Sequence, residues 1–134
     1  MTRKWLLFGV TVLAGAALTV GVAFSGSAQR PSPEALARST AHEFIQTINT
    51  RHFERTCELM SVSFYRENHV PDRARCVLAL RIGFTWAQSY RFRILHVRVH
   101  GHRAIVEAVV NGARGRIVLL EENSRFRVLS VGGS

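Results

Sequence analysis

The stretch YRFRILHVRVHGHRAIVEAVVNGARGRIVLLEENSRFRVL, residues Tyr90 to Leu129, decides the fold, because apolar side chains recur in it at every second position. A period of two marks half-buried strands, and it persists to the end of the stretch. Four strands are predicted: Tyr90 to His100, Arg103 to Asn111, Arg116 to Glu122 and Arg125 to Leu129. Gly101-His102, Gly112 to Gly115 and Asn123-Ser124 are read as the turns between them, which makes an antiparallel meander the simplest topology. The first strand carries a phase fault. Its apolar positions begin on Tyr90, Phe92 and Ile94 and continue on Leu95, Val97 and Val99, as a bulge near Ile94 would produce. A bulged long strand curves its sheet.

Upstream of Gln88 the period is helical. Ser32 caps, Pro33 takes the first helical position and Glu34 complements the positive helix end. Ala37, Ala41, Phe44, Ile45 and Ile48 then form one apolar stripe, so a helix is expected from Pro33 to about Asn49. A shorter helix is expected from about His52 to Met60, with Phe53, Cys57 and Met60 on one face. From Ser61 to Pro71 the pattern breaks, and this segment is read as a loop with a short extended piece around Phe64. Asp72 caps a third helix that reaches about Gly83 and turns Cys76, Val77, Leu80 and Phe84 inward. The expected class is α+β: three N-terminal helices packed on a curved four-stranded antiparallel meander, with an apolar export helix in front.

That export segment is the other decisive feature. Arg3 and Lys4 precede an uncharged, mostly apolar run from Trp5 to Phe24, followed by Ser25, Gly26, Ser27 and Ala28. This is the layout of an export signal, and its length leaves two fates open. Cleavage near Ala28 gives a secreted domain, whereas retention leaves residues 5–24 as a membrane anchor with the domain outside. The organisation is therefore residues 1–28 as signal or anchor, 29–32 as linker and 33–131 as one domain.

Of 134 residues 18 are basic and nine acidic, a net charge of +9. Arg3 and Lys4 are the only basic residues before residue 29, so the exported part carries about +7, which favours anionic lipid or envelope polymer as a partner. Nucleic acid is a poor partner outside the cytoplasm, and the chain lacks an exposed aromatic platform for single strands. The two cysteines, Cys57 and Cys76, would meet an oxidising compartment, where a bridge between them is expected and two buried free thiols are the alternative.

At the level of pattern the chain resembles the nuclear transport factor 2-like superfamily, which has a cystatin-like cone fold and includes ketosteroid isomerases, polyketide cyclases and small exported domains of actinobacteria. The carriers are Phe44-Ile45-Gln46-Thr47-Ile48-Asn49, the stretch from Phe53 to Ser61, and Arg125-Phe126-Arg127-Val128. The resemblance spans about Ala35 to Val131, and the second stretch with Cys57 and Cys76 is closest to the exported members. It implies a pocket between helices and sheet, with Phe44, Tyr65, Trp86, Tyr90 and Glu107 as candidate lining residues. It also implies two kinds of function, catalytic and noncatalytic.

For the catalytic kind, Glu107 in the cone would be the base, with Tyr65 or His69 as its partner. Against this, an arginine on a neighbouring strand would pair Glu107, and Asp72, beside His69, already serves as a helix cap. The catalytic aspartate of the isomerases has no counterpart outside that cap. His96, His100 and His102 are evenly spaced, but Gly101 puts a turn between the last two and no acid supports them, so no metal site and no cofactor are expected. Arg91, Arg93, Arg125 and Arg127 alternate with apolar residues on the first and last strands and would form a basic patch if the two rows lie close together. The favoured function is an exported, noncatalytic domain binding a small apolar ligand or an envelope protein. The rivals are a small isomerase, dehydratase or cyclase and a basic module attached to anionic envelope surfaces.

Overall fold

A computed structural model of the protein describes residues 30–84 and 89–133. The expected export segment and Trp86 lie outside the described residues. Residues from Pro31 onward form one compact unit, in which four helices, α1 (Pro33–Asn49), α2 (Phe53–Glu58), α3 (Val62–Glu67) and α4 (Arg73–Gly83), precede four strands, β1 (Phe92–His100), β2 (Arg103–Val110), β3 (Ala113–Glu122) and β4 (Arg125–Gly133). Among the described residues, no helix is long and apolar enough to cross a membrane.

The start of α1 is set by its cap: the Ser32 hydroxyl accepts the Ala35 N–H at 3.1 Å, with Pro33 as the first helical residue and Glu34 in the first turn. Its whole predicted stripe, Ala37, Ala41, Phe44, Ile45 and Ile48, is buried against the sheet. Facing it are Val97, Ala104, Val106, Ile117, Leu119, Phe126 and Val128, which make this the main core. Burying a large aliphatic or aromatic side chain stabilises by about 1.5–3 kcal/mol, so this layer dominates the energetics.

The sheet is an antiparallel meander in the order β1-β2-β3-β4. Each hairpin has a two-residue loop, closed by the pairs His100↔Arg103, Val110↔Ala113 and Glu122↔Arg125. Asn111 and Gly112 have φ of 51° and 82°, and Asn123 and Ser124 have 51° and 63°. Two successive positive φ angles are the signature of the turn whose twist suits a hairpin. The expected turn from Gly112 to Gly115 is thus shorter than predicted, and Ala113 to Gly115 already belong to β3. Gly115 is closely approached there: a Cβ on it would stand 3.2 Å from the Gly132 carbonyl oxygen, a tight contact.

The bulge on β1 is real and falls on Leu95: Ile94 pairs with Ala108 and His96 with Glu107, leaving Leu95 unopposed. One consequence corrects the predicted face, for Leu95 is exposed while Val97 is buried. A second bulge, at Leu129, separates the pairs Leu119↔Val128 and Val118↔Ser130. It resets the phase of β4, which therefore continues past the predicted end at Leu129 to Gly133.

The expected three helices are four. Ser61 to Pro71, read as a loop, contains α3, whose start is capped by the Ser61 hydroxyl accepting the Phe64 N–H at 2.9 Å. Its first-turn Val62 N–H donates to both carboxylate oxygens of Glu122 at 3.1 Å, where negative charge suits a helix start. No residue of α3 is fully buried, so it has no apolar stripe to betray it.

Cys57 on α2 and Cys76 on α4 form a disulfide, their Cα atoms 6.0 Å apart. It lies in a second cluster with Phe53 and Val77, against which Tyr65, Leu80 and Phe84 pack. The strip Leu59–Ser61 covers the free edge of β4 at Val128: Val128 N–H donates to Leu59 O at 2.7 Å and Ser61 N–H to Val128 O at 2.8 Å. Covering an edge in this way satisfies backbone groups that otherwise invite pairing with another chain.

Candidate functional site: an apolar cavity at the open end of the sheet

Between the helices and the sheet, where β3 begins and β4 ends, lies a cavity of about 510 Å³. Its floor is the inward face of the sheet, including Ala108, Val110, Gly115, Ile117 and Val131; Phe44, Ile45 and Ile48 of α1 form one wall, and Leu80, Phe84 and Tyr90 another. Met60 and Phe64 close it towards α3. The volume lies within the range of about 300–1,000 Å³ usual for ligand pockets.

Two groups of interactions hold this wall. The Phe84 ring packs edge-on to Tyr90, centroids 5.9 Å apart, and stacks near Phe53 at 6.1 Å. The Asn49 side chain clasps the backbone of Tyr90, its Nδ2 donating to Tyr90 O at 2.9 Å and its Oδ1 accepting the Tyr90 N–H at 2.7 Å. Arg51 Nη1 donates to Phe84 O at 2.6 Å from the other side. Tyr90 is thereby fixed to α1 before β1 begins.

Of the predicted lining residues, Phe44 and Tyr90 are in this wall, and Trp86 is outside the described residues. Glu107 is not in it. The burial of Ala104, Val106 and Ala108 turns Glu107 to the outer face of the sheet, where its Oε1 accepts Arg98 Nη2 at 2.8 Å. Tyr65 is also elsewhere. It lies on α3 over the disulfide and donates its hydroxyl to Cys57 O at 2.7 Å, beside a smaller recess of about 340 Å³ shared with Asp72 and Arg73. Burial raises its phenol above the ordinary value, with Arg73 opposing and Asp72 and Glu58 adding to the rise.

His69 follows α3 in the left-handed region, φ 53°, and is exposed. Asp72 caps α4, accepting the Arg75 N–H at 2.8 Å. Glu107, Tyr65 and His69 therefore do not converge, and no acid–base pair forms among them. The histidines do not converge either: His96 and His100 lie on the outer face, whereas His102 is at the hairpin and contacts Glu121 at 3.2 Å. No group of three metal-ligating side chains occurs among the described residues.

Of the cavity residues, sequence reasoning named only Phe44 and Tyr90; two of the stretches it missed, Ala113–Ile117 and Val131–Gly133, were also read largely as turn or tail rather than strand. The signal for the first was the Asn111-Gly112 dipeptide, a two-residue hairpin turn that releases Ala113 to the strand. For the second, the phase shift at Leu129 was the only sign. The charged lining residues, Arg114 and Arg116, are both exposed, and neither has an acidic partner among the described residues.

The two arginine rows on β1 and β4 do not meet. These strands are opposite edges of the sheet, about 14 Å apart at roughly 4.8 Å per strand spacing, and Arg127 turns to donate to Glu58 O at 2.8 Å. On the strands between them stand Arg103 of β2 and Arg114 and Arg116 of β3. Arg93, Arg103, Arg114, Arg116 and Arg125 are exposed on the outer face without an acidic partner among the described residues. Comparison with protein-family models, with curated proteins and with solved structures finds no match.

Proposed function

We propose that the chain is an exported, noncatalytic binding domain of the cell envelope, with the fold of the nuclear transport factor 2-like superfamily and an apolar ligand in the cavity at the open end of its sheet. The observation that carries this reading is the composition of the cavity wall. Among the described lining residues there is no carboxylate and no imidazole, so the cavity offers apolar contact without a general base. The buried disulfide supports an oxidising compartment. The apolar run after Arg3 and Lys4 supports export on sequence grounds.

A neutral solvatochromic dye such as Nile red tests the reading. The dye should bind with one-to-one saturation and a blue-shifted emission. Val110→Trp, which fills the cavity, should abolish that binding, and Val109→Trp, on the outer face, should leave it intact. Thermal midpoints of the two variants control for folding. Equal dye binding by both variants would overturn the cavity as the binding site.

The arginines of the outer sheet face favour a second, compatible reading, attachment to anionic lipid or polymer. Attraction of this kind weakens as salt shortens the Debye length, which is about 8 Å at physiological ionic strength. Co-sedimentation with phosphatidylglycerol vesicles should fall steeply with salt. A flat salt response would sink this reading.

A further inference from the structure

We propose that the free edge of β4 beyond Val128 takes up an extended peptide segment of a partner protein as an added strand, and that this segment alternates apolar with acidic residues. The contact is made by backbone groups and the outer sheet face, and it is independent of any ligand in the cavity. Val128 turns both its N–H and its carbonyl away from β3, to Leu59 and Ser61, so Leu119↔Val128 is a pair without hydrogen bonds between its members. Such pairs alternate with bonded ones along an antiparallel ladder. The bulge at Leu129 adds a residue to β4 alone, which makes Val118↔Ser130 the bonded pair and leaves the N–H and carbonyl of Val131 facing the free edge. The strip Leu59–Ser61 reaches only Val128, and no other group among the described residues pairs with the backbone of Val131 from that side. Ser130 to Gly133 are all exposed, Val131 at 55%. An edge without charge, proline or cover is a template for a further strand.

The two faces beside this edge set the chemistry of the added strand. On the inner face stands Val131, so a side chain directed inward meets an apolar one. On the outer face Ser130 and Gly132 are small, and a Cβ on Gly132 would meet nothing within 4 Å. Arg116 is exposed and in register with Gly132, and its neighbour on the other side, Glu107, is engaged by Arg98 at 2.8 Å. From β3 to the added strand is two strand spacings, about 9.6 Å, a gap that an arginine and a glutamate close by reaching towards each other over the bare Gly132. Arg114 adds a second positive charge to the same face of β3. A second copy of this chain, paired edge to edge, would instead bring two arginine-bearing faces side by side, and that repulsion selects an acidic partner.

The test is fluorescence anisotropy of the full chain with a labelled heptapeptide in which glutamates alternate with valines and phenylalanine, against the same peptide with glutamines for the glutamates. The acidic peptide should bind about three- to tenfold more tightly, and Arg114→Gln/Arg116→Gln should remove most of that preference. Val131→Pro deletes the outward N–H and no bond of the β3–β4 ladder, a position where an edge strand accepts proline, and should weaken binding by about tenfold or more. Val131→Ala, which keeps the N–H, should retain most of the binding. Two N-methylated peptides ask the same question without altering the protein: one is methylated on its apolar residues, the other on its glutamates. Only the set whose N–H groups face β4 should lose binding.

Absence of binding by both unmethylated peptides, or equal effects of the two methylations, would overturn the added strand. So would binding unchanged in a Val131→Pro variant that keeps the parental thermal midpoint, which would assign the contact to the arginine face alone. Equal affinity for the glutamate and glutamine peptides would overturn the acidic character of the partner.

Discussion

Asn49 and Tyr65 each carry a consequence that can be measured one side chain at a time. Asn49 ends α1 and satisfies both backbone groups of Tyr90, 41 residues further on, so it joins the helical half to the first strand. Replacing it by alanine leaves a part-buried donor and acceptor without their partner, and Asn49→Ala should cost about 1–3 kcal/mol in urea unfolding with little change in the slope. Asn49→Asp keeps the acceptor and loses the donor, so it should fall between the two. Tyr65 makes a pH-dependent contribution. Its phenol is raised above 10.0, chiefly by burial, so between the unfolded and folded values the native state holds a proton that the unfolded state has lost. The stabilisation is fully present below about pH 10 and is lost as the pH rises through the folded value. Urea midpoints between about pH 9 and 11.5 should decline less in Tyr65→Phe than in the parent chain, and parallel declines would refute this role.

At the scale of elements, the disulfide ties α2 to α4 across 19 residues, a loop worth about 3 kcal/mol in the chain-entropy model. Cys57→Ala/Cys76→Ala should lower stability by about that amount and leave far-ultraviolet dichroism nearly unchanged, because the core between α1 and the sheet contains neither cysteine. Elements with an apolar period were legible in the sequence. The stripe of α1 was complete, the caps of α1 and α4 were correctly placed, and the phase fault on β1 did mark a bulge. α3 was illegible because its only sequence signal is the Ser61 cap, and it buries no residue whose spacing would show. The far ends of β3 and β4 were missed for a different reason. Gly115 reads as a turn residue but lies within β3, tight against β4, and the bulge at Leu129 breaks the alternation that would have carried β4 to Gly133. Since those ends form the cavity floor, the candidate site was the least legible part of the molecule. Glu107 was misplaced in the pocket because both faces of β2 are largely apolar, and only the burial of its neighbours Val106 and Ala108 settles which face is which.

For the molecule as a whole, two packed clusters share Met60 and Phe84, which touch both the α1–sheet core and the disulfide cluster. Leu119 is fully buried at the centre of the larger one, and Leu119→Ala should cost about 2–5 kcal/mol, read by thermal or urea unfolding. Hydrogen exchange should then rank the amides, with β2 and β3 slowest and the short α3, which has no fully buried residue, among the fastest. The strip Leu59–Ser61, hydrogen-bonded along β4 at Val128, also constrains the order of assembly. Its partner Val128 lies in β4, beyond α3, α4 and three strands, so this contact joins segments far apart in sequence. Contacts so distant in sequence form slowly. The edge of β4 at Val128 is thus covered only when two segments distant in sequence have met, and local folding alone leaves it exposed.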